Sequence, residues 1–184
     1  MIRIRQANSQ DAAAIARLHT AGWRDTYSNV LSSDFLKNAV QEEHRIHWQA
    51  VFSKSENNKV VFVAEETGGE IVGFICIKLR DDPRWGAYID SLHISSTLRG
   101  KGVGKALLRH GAEWIHSIDA QSPLYLWVFK DNHRATAFYQ KLGGEIVEQT
   151  QSDIPSANKA PVFRISWENA RQLMVGVDCA NLRG

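Results

Sequence analysis

Apolar and polar positions change their period several times along the chain, and each change predicts an element. Ile2 to Gln6 alternates apolar with charged or polar residues, as a short strand does. After Asn8 and Ser9, either of which can cap a helix, a helix runs through Ala12, Ile15, Leu18 and His19. Ser32-Ser33-Asp34 opens a second helical stretch over Phe35 to Val40, and the pattern continues to Phe52 through His47, Trp48 and Val51. Lys54 to Lys59 is polar and predicts a loop. Val60 to Glu65, Glu70 to Leu79 and Ala87 to Ser95 are rich in Val, Ile and Phe and read as strands. Thr67-Gly68-Gly69 joins the first two and Asp81-Asp82-Pro83-Arg84 turns the chain before Trp85, which makes an antiparallel meander.

Farther on, Val103, Leu107, Gly111, Trp114 and Ile118 recur at helical spacing and predict one apolar stripe packed on the sheet. Leu124 to Phe129 reads as a strand, Arg134 to Leu142 as a helix, and Glu145 to Thr150 with Val162 to Trp167 as a closing pair of strands. The order is β-α-α-β-β-β-α-β-α-β-β. It predicts an α+β fold with a mixed, largely antiparallel sheet and helices on both faces. The 184 residues suit a single domain, expected over 1–167, followed by a tail, 168–184. Within that tail Asn169 to Val175 reads as a short helix or an oligomer contact, which leaves a homodimer open.

Between the third strand and the striped helix lies Leu98-Arg99-Gly100-Lys101-Gly102-Val103-Gly104-Lys105. Glycines at alternate positions remove the Cβ atoms that would keep a ligand from the backbone and permit turns in which successive amides converge. The following helix adds its free N-terminal amides and the positive end of its dipole, so the segment reads as a seat for a phosphate or pyrophosphate. Arg99, Lys101 and Lys105 would reinforce it. A dinucleotide fingerprint is excluded, because Lys105 or Leu107 stands where its last glycine or alanine belongs. A Walker A loop is excluded as well, by Arg99 and Ala106 at two of its required positions.

The pattern that fits is Arg-x-x-Gly-x-Gly, Arg99 to Gly104. It resembles the GNAT superfamily of N-acetyltransferases, in which this loop holds the pyrophosphate of acetyl-coenzyme A. A second run, Asn132-His133-Arg134-Ala135-Thr136-Ala137-Phe138-Tyr139-Gln140-Lys141-Leu142-Gly143, resembles that family's Asn-x-x-Ala-x-x-Phe-Tyr-x-Lys-x-Gly. The element order matches the GNAT fold from Ile2 to about Trp167. The resemblance implies transfer of an acetyl group to a primary amine by direct attack within a ternary complex, with acetyl-coenzyme A as cosubstrate and no metal.

By the same resemblance the loop Arg99, Gly100, Lys101, Gly102, Val103, Gly104 and Lys105 would bind the cofactor. Leu92, His93 and Ile94 would offer backbone groups to its pantetheine arm and to the oxyanion. Asn132 would contact the arm's amides or cap the next helix, and Tyr139 would protonate the departing thiolate. Some family members carry a glutamate five residues before the asparagine. Here that residue is Trp127, so Asp90 on the strand leading to Ile94 is the candidate base. Strict alternation sets His93 on the face opposite Asp90, contributing main chain only. Trp23, Tyr27 and Tyr88, with Trp85, would form an aromatic wall for a cationic or apolar amine, or a helix-packing cluster. His44 and His47 lack the pattern of a zinc protease helix, and no metal is assigned.

Composition narrows the setting. Lys+Arg of 22 against Asp+Glu of 20 gives a formal charge of +2 with the signs interspersed, which argues against nucleic acid as partner. The N-terminus carries no signal-peptide pattern, and no apolar run approaches the roughly twenty residues that span a bilayer. A cytoplasmic protein with no membrane association is expected. Cys76 and Cys179 stand in no metal or redox spacing, and Cys76 reads as a core thiol. The acceptor expected first is a small amine, with a protein N-terminus as alternative. The rival classes are a non-catalytic acyl-coenzyme A sensor, which Trp127 would permit, and a nucleotide-binding interaction protein.

Overall fold

A computed structural model describes residues 1–54 and 57–182. Its strands are β1 (Ile2–Gln6), β2 (Lys59–Glu66), β3 (Ile71–Asp82), β4 (Gly86–Ile94), β5 (Leu124–Phe129), β6 (Glu145–Gln151) and β7 (Pro161–Trp167). They form one seven-stranded sheet in the order β1-β2-β3-β4-β5-β7-β6. Neighbours are antiparallel throughout except β4 and β5, which run parallel. The helices are α1 (Ala12–Thr26), α2 (Val40–Ser53), α3 (Val103–Ile118), α4 (His133–Lys141) and α5 (Ala170–Leu182). This is the α+β architecture and mixed sheet expected from the element order.

Alternation along β2 shows how one sheet carries two cores. Val60, Phe62 and Ala64 join Leu107, Leu108 and Ile115 of α3, whereas Val61 and Val63 meet Ile15 of α1 and Trp48 of α2. Because both faces are covered, such strands read as unbroken apolar runs instead of an alternating pattern. Leu107, Leu108 and Ile115 have no exposed surface, and each such burial stabilises the fold by about 1.5–3 kcal/mol. The buried face of α3 is wider than the predicted stripe. Leu108, Ala112 and Ile115 belong to it beside Val103, Leu107 and Gly111, while Ile118 in the last turn is 46% exposed.

The segment read as a tail carries α5, which lies against α3. Ala170, Leu173 and Val177 are buried in the α3-side core, and Arg109 of α3 pairs with Asp178. Residues 55 and 56 of the predicted loop and residues 183 and 184 of the tail lie outside the described residues.

Two irregularities in the middle of the sheet create the site. β4 and β5 register only at Ala87 with Leu124 and Tyr88 with Tyr125, and beyond those pairs they part. On its other edge, β4 carries a bulge against β3: Ile77 faces Ile89 and Cys76 faces Ser91, so Asp90 is one residue extra. That extra residue resets the alternation. Leu92 and Ile94 pack on the α3 side, whereas Tyr88, Asp90, Ser91 and His93 all turn toward α1 and α2. The expectation that His93 and Asp90 occupy opposite faces is therefore corrected, since period-2 counting fails across a bulge.

Candidate active site

The inner half of the site is made of backbone. Gly100 and Gly102 have φ of 81° and 87°, the left-handed region that glycine enters at little cost, and they bring the chain into α3. The amides of Val103, Gly104 and Lys105 find no backbone acceptor among the described residues, as the first turn of a helix leaves them. With the helix dipole behind them they form an anion seat. Arg99 is paired with Asp25 at the end of α1, and Lys105 Nζ donates to the Ala180 carbonyl of α5 at 3.4 Å. Lys101 is exposed within the loop, and the Val103 side chain is in the core, which leaves its amide to the seat.

From this seat a cleft of about 1390 Å³ runs between the parted strands, bordered by Leu92, His93 and Ile94 on one side and by Leu126 to Phe129 on the other. The edge of β4 beyond Tyr88 is not paired with β5, so its backbone can bond an extended ligand as it would a neighbouring strand. An extended diphosphate carrier fits these features: unpaired amides at one end, open space at both glycines and a vacant strand edge along its length.

Tyr139 of α4 borders the cleft. It is 9% exposed, and its ring packs edge-on to Trp167 at 6.1 Å. Burial, with the nearby Tyr27 phenol adding to it, pushes the Tyr139 pKa above the ordinary phenol value, which keeps the group protonated through the neutral range. Asn132 lines the same cleft and caps α4, its Oδ1 accepting from the Ala135 amide at 3.2 Å.

Side chains build the outer half. Asp90, in the bulge, accepts from Ser91 Oγ at 3.0 Å and has Lys78 Nζ at 3.7 Å. The same ammonium lies 5.6 Å from the centre of the Tyr88 ring. Tyr88 stacks on Tyr125 at 5.0 Å across the last paired positions of β4 and β5, and Tyr125 donates to Asp81 at 2.6 Å. Burial raises the pKa of both phenols, and the Asp90 and Asp81 carboxylates add to it. Behind this wall the Arg164 guanidinium lies 4.4 Å from the Trp127 ring, 4.8 Å from Tyr125 and 5.0 Å from Trp85. Trp127 and Tyr125 line the cleft; Trp85 supports Arg164 instead and is absent from the lining.

A group of histidines closes the α1 and α2 side. His19 and His44 stack face to face at 3.7 Å, and His93 packs on His19 at 4.6 Å. Trp48 Nε1 donates to His19 Nδ1 at 3.1 Å, and an indole nitrogen can only donate, so His19 carries its proton on Nε2. Thr20 Oγ1 lies 3.0 Å from His44 Nδ1. Gly22 lets α1 approach, since a Cβ there would stand 2.7 Å from His93 Nδ1. Burial is the main cause that lowers all three: His19 falls well below its ordinary pKa, His44 to about 4 and His93 to about 3. They are neutral at neutral pH. Among the described residues no group of histidine, cysteine and carboxylate side chains is arranged to hold a metal ion.

Trp23 and Tyr27 border the cleft and also pack: Trp23 edges onto His44 at 4.7 Å, and Tyr27 onto Phe129 at 5.1 Å. The sequence reading passed over Lys78, Tyr125, Asp81 and the His19–His44 stack. Lys78 had a visible signal, a charge closing the apolar run Val72 to Ile77 within a strand. The histidine stack had none, because it joins helices distant in sequence.

The sequence pattern of the Acetyltransferase (GNAT) family matches residues 17–144. The chain is 28% identical over 158 residues to the uncharacterized N-acetyltransferase YuaI of Bacillus subtilis, covering 84% of this chain and 86% of that one. It is 25% identical to the peptidyl-lysine N-acetyltransferase YjaB of Salmonella typhimurium, over 83% of this chain and 90% of that one. Its fold superposes on the PaiA N-acetyltransferase of Thermoplasma acidophilum in complex with coenzyme A, with a TM-score of 0.71 and 22% identity, covering 91% of this chain and 99% of that one. Among the described residues no helix is long and apolar enough to cross a membrane.

Proposed function

Because this chain belongs to the GNAT family of acetyltransferases, we propose that it acetylates a small primary amine, which attacks the thioester of acetyl-coenzyme A directly within a ternary complex. The chain is an acetyl-coenzyme A dependent acyltransferase. The residue roles and the acceptor are the proposal. The observation that carries it is that a buried phenol, Tyr139, and a carboxylate held in a bulge, Asp90, border one cleft, which opens where β4 and β5 part.

In this reading the α3 amides and the Gly100–Gly104 turn seat the pyrophosphate, and the open edge of β4 at Leu92, His93 and Ile94 holds the pantetheine arm. Backbone amides on that edge face the thioester oxygen as charge develops on it. Asp90 receives a proton from the acceptor's ammonium, which frees the nitrogen lone pair for attack. Tyr139 directs its hydroxyl to the departing sulfur. Its raised pKa keeps the proton available, and it makes hydrogen-bond donation to the thiolate more favourable than full transfer. Tyr88 and Trp127 present ring faces, and Asp81 and Asp90 carboxylates, to a cationic amine, while Tyr125, stacked on Tyr88 and covered by Arg164, backs that wall. Trp23 and Tyr27 close the other wall.

The test is incubation with acetyl-coenzyme A and a panel of amines, following free thiol. Release with small primary amines supports the proposal. Saturable coenzyme A binding without thiol release across the panel replaces it with a sensing role, which Trp127 in place of an acidic residue would suit.

A further inference from the structure

We propose that Lys78 is an acceptor built into the site: its ε-amino group takes the acetyl group from the bound thioester, and the enzyme so modifies itself within its own cleft. This rests on the assignment of Asp90 as the proton acceptor. Lys78 faces α1 and α2 from β3, opposite Tyr88, and borders the same cleft as Tyr139 and the β4 edge. Its ammonium stands 3.7 Å from Asp90 and 5.6 Å from the Tyr88 ring, a carboxylate and an aromatic face that would equally receive the ammonium of a free amine. Lys78 therefore holds, by a covalent stem, the chemical group that an acceptor must bring. The side chain is 33% exposed and flexible enough to travel within the cleft.

Two other lysines border the cleft in different surroundings. Lys105 is bonded to the Ala180 carbonyl beside the anion seat, and Lys141 lies on the exposed side of α4. An ammonium must lose a proton before its nitrogen can attack, and of the three Lys78 is the one paired with the carboxylate, Asp90, that can take it. The bonds balance simply. One proton passes from Nζ to Asp90, the Nζ–C bond forms, and the C–S bond breaks with its electron pair leaving on sulfur. The second nitrogen proton ends on the thiolate, giving coenzyme A and an amide at Lys78. The amide has no charge, so once Asp90 has passed its proton to solvent it stands without its resident counter-ion and the outer half is more negative by one unit.

The experiment is incubation of the full chain with isotope-labelled acetyl-coenzyme A and no added amine, followed by intact mass and peptide mapping. The Lys78→Arg and Asp90→Asn variants and an amine-turnover assay run alongside. The expected result is one label per chain on Lys78, acquired at a rate independent of protein concentration. It is absent in Lys78→Arg and slowed about 100-fold or more in Asp90→Asn. Label spread over surface lysines and unchanged in Asp90→Asn overturns the proposal, as does a rate that rises with protein concentration. An unmodified Lys78 in an enzyme that turns over amines overturns it while sparing the assignment of Asp90. Failure of both labelling and amine turnover overturns the two together.

Discussion

The inner half of the cleft is built from main chain and the outer half from side chains. At the inner end, Gly100, Gly102 and the first turn of α3 present amides whose positions depend on backbone angles, and the neighbouring side chains are engaged elsewhere, Arg99 with Asp25 and Lys105 with α5. At the outer end, Asp90, Lys78, Tyr88, Tyr125 and Asp81 hold one another through an ion pair, a ring stack and a hydrogen bond. A backbone site tolerates exchange of nearly every residue except its glycines. A side-chain site changes its ligand with each substitution. In the proposed function the first therefore seats the cofactor, and the second selects the acceptor.

Substitutions can separate the halves. Asp90→Asn and Tyr139→Phe should each lower kcat by about 10²–10⁴-fold while calorimetric affinity for coenzyme A stays at the wild-type value. A loss of affinity instead would move that residue to the inner half. Gly102→Val should do the reverse. A β-branched residue at φ 87° costs on the order of 1–3 kcal/mol, which is about 5- to 150-fold in coenzyme A affinity if the loop must keep its shape, with kcat near normal at saturation.

The histidines behind the outer wall give a pH signature. His44 and His93 are held at about 4 and about 3 by burial, against an ordinary 6.5, so the unfolded chain binds more protons below neutrality. Stability is full above pH 6.5 and falls as the pH drops toward 4. Urea midpoints between pH 7 and 4.5 should follow that slope, and His44→Phe should flatten it. The smallest effect belongs to Asp25→Asn. Its partner Arg99 is an exposed-side ion pair worth about 0–1 kcal/mol, so KM for acetyl-coenzyme A should change less than about 5-fold.

The inner half was legible in the sequence because its signal is local: glycines at fixed spacing between a strand and a helix can be read without knowing what packs on them. Asn132 and Tyr139 were legible for the same reason, as they lie on one short turn and helix. The strands and helices came through where their period was clean. The face of His93 did not, because one looped-out residue inverts the count and leaves no mark in the residue types around it. The outer wall was hidden for another reason. Lys78, Asp90 and Tyr125 come from three strands; of their partners, Asp81 lies at the end of the Lys78 strand, Trp85 in the turn after it and Arg164 on a fourth strand. Their meeting is set by the sheet order, which period alone does not give.

The bulge at Asp90 has an effect on how this enzyme can vary. Removing that residue would leave Ile89 opposite Ile77 and Ser91 opposite Cys76, the pairs they already make, and no core side chain would change layers. Position 90 is therefore a socket, a place where descendants of this chain can swap one side chain for another without rebuilding the scaffold around it.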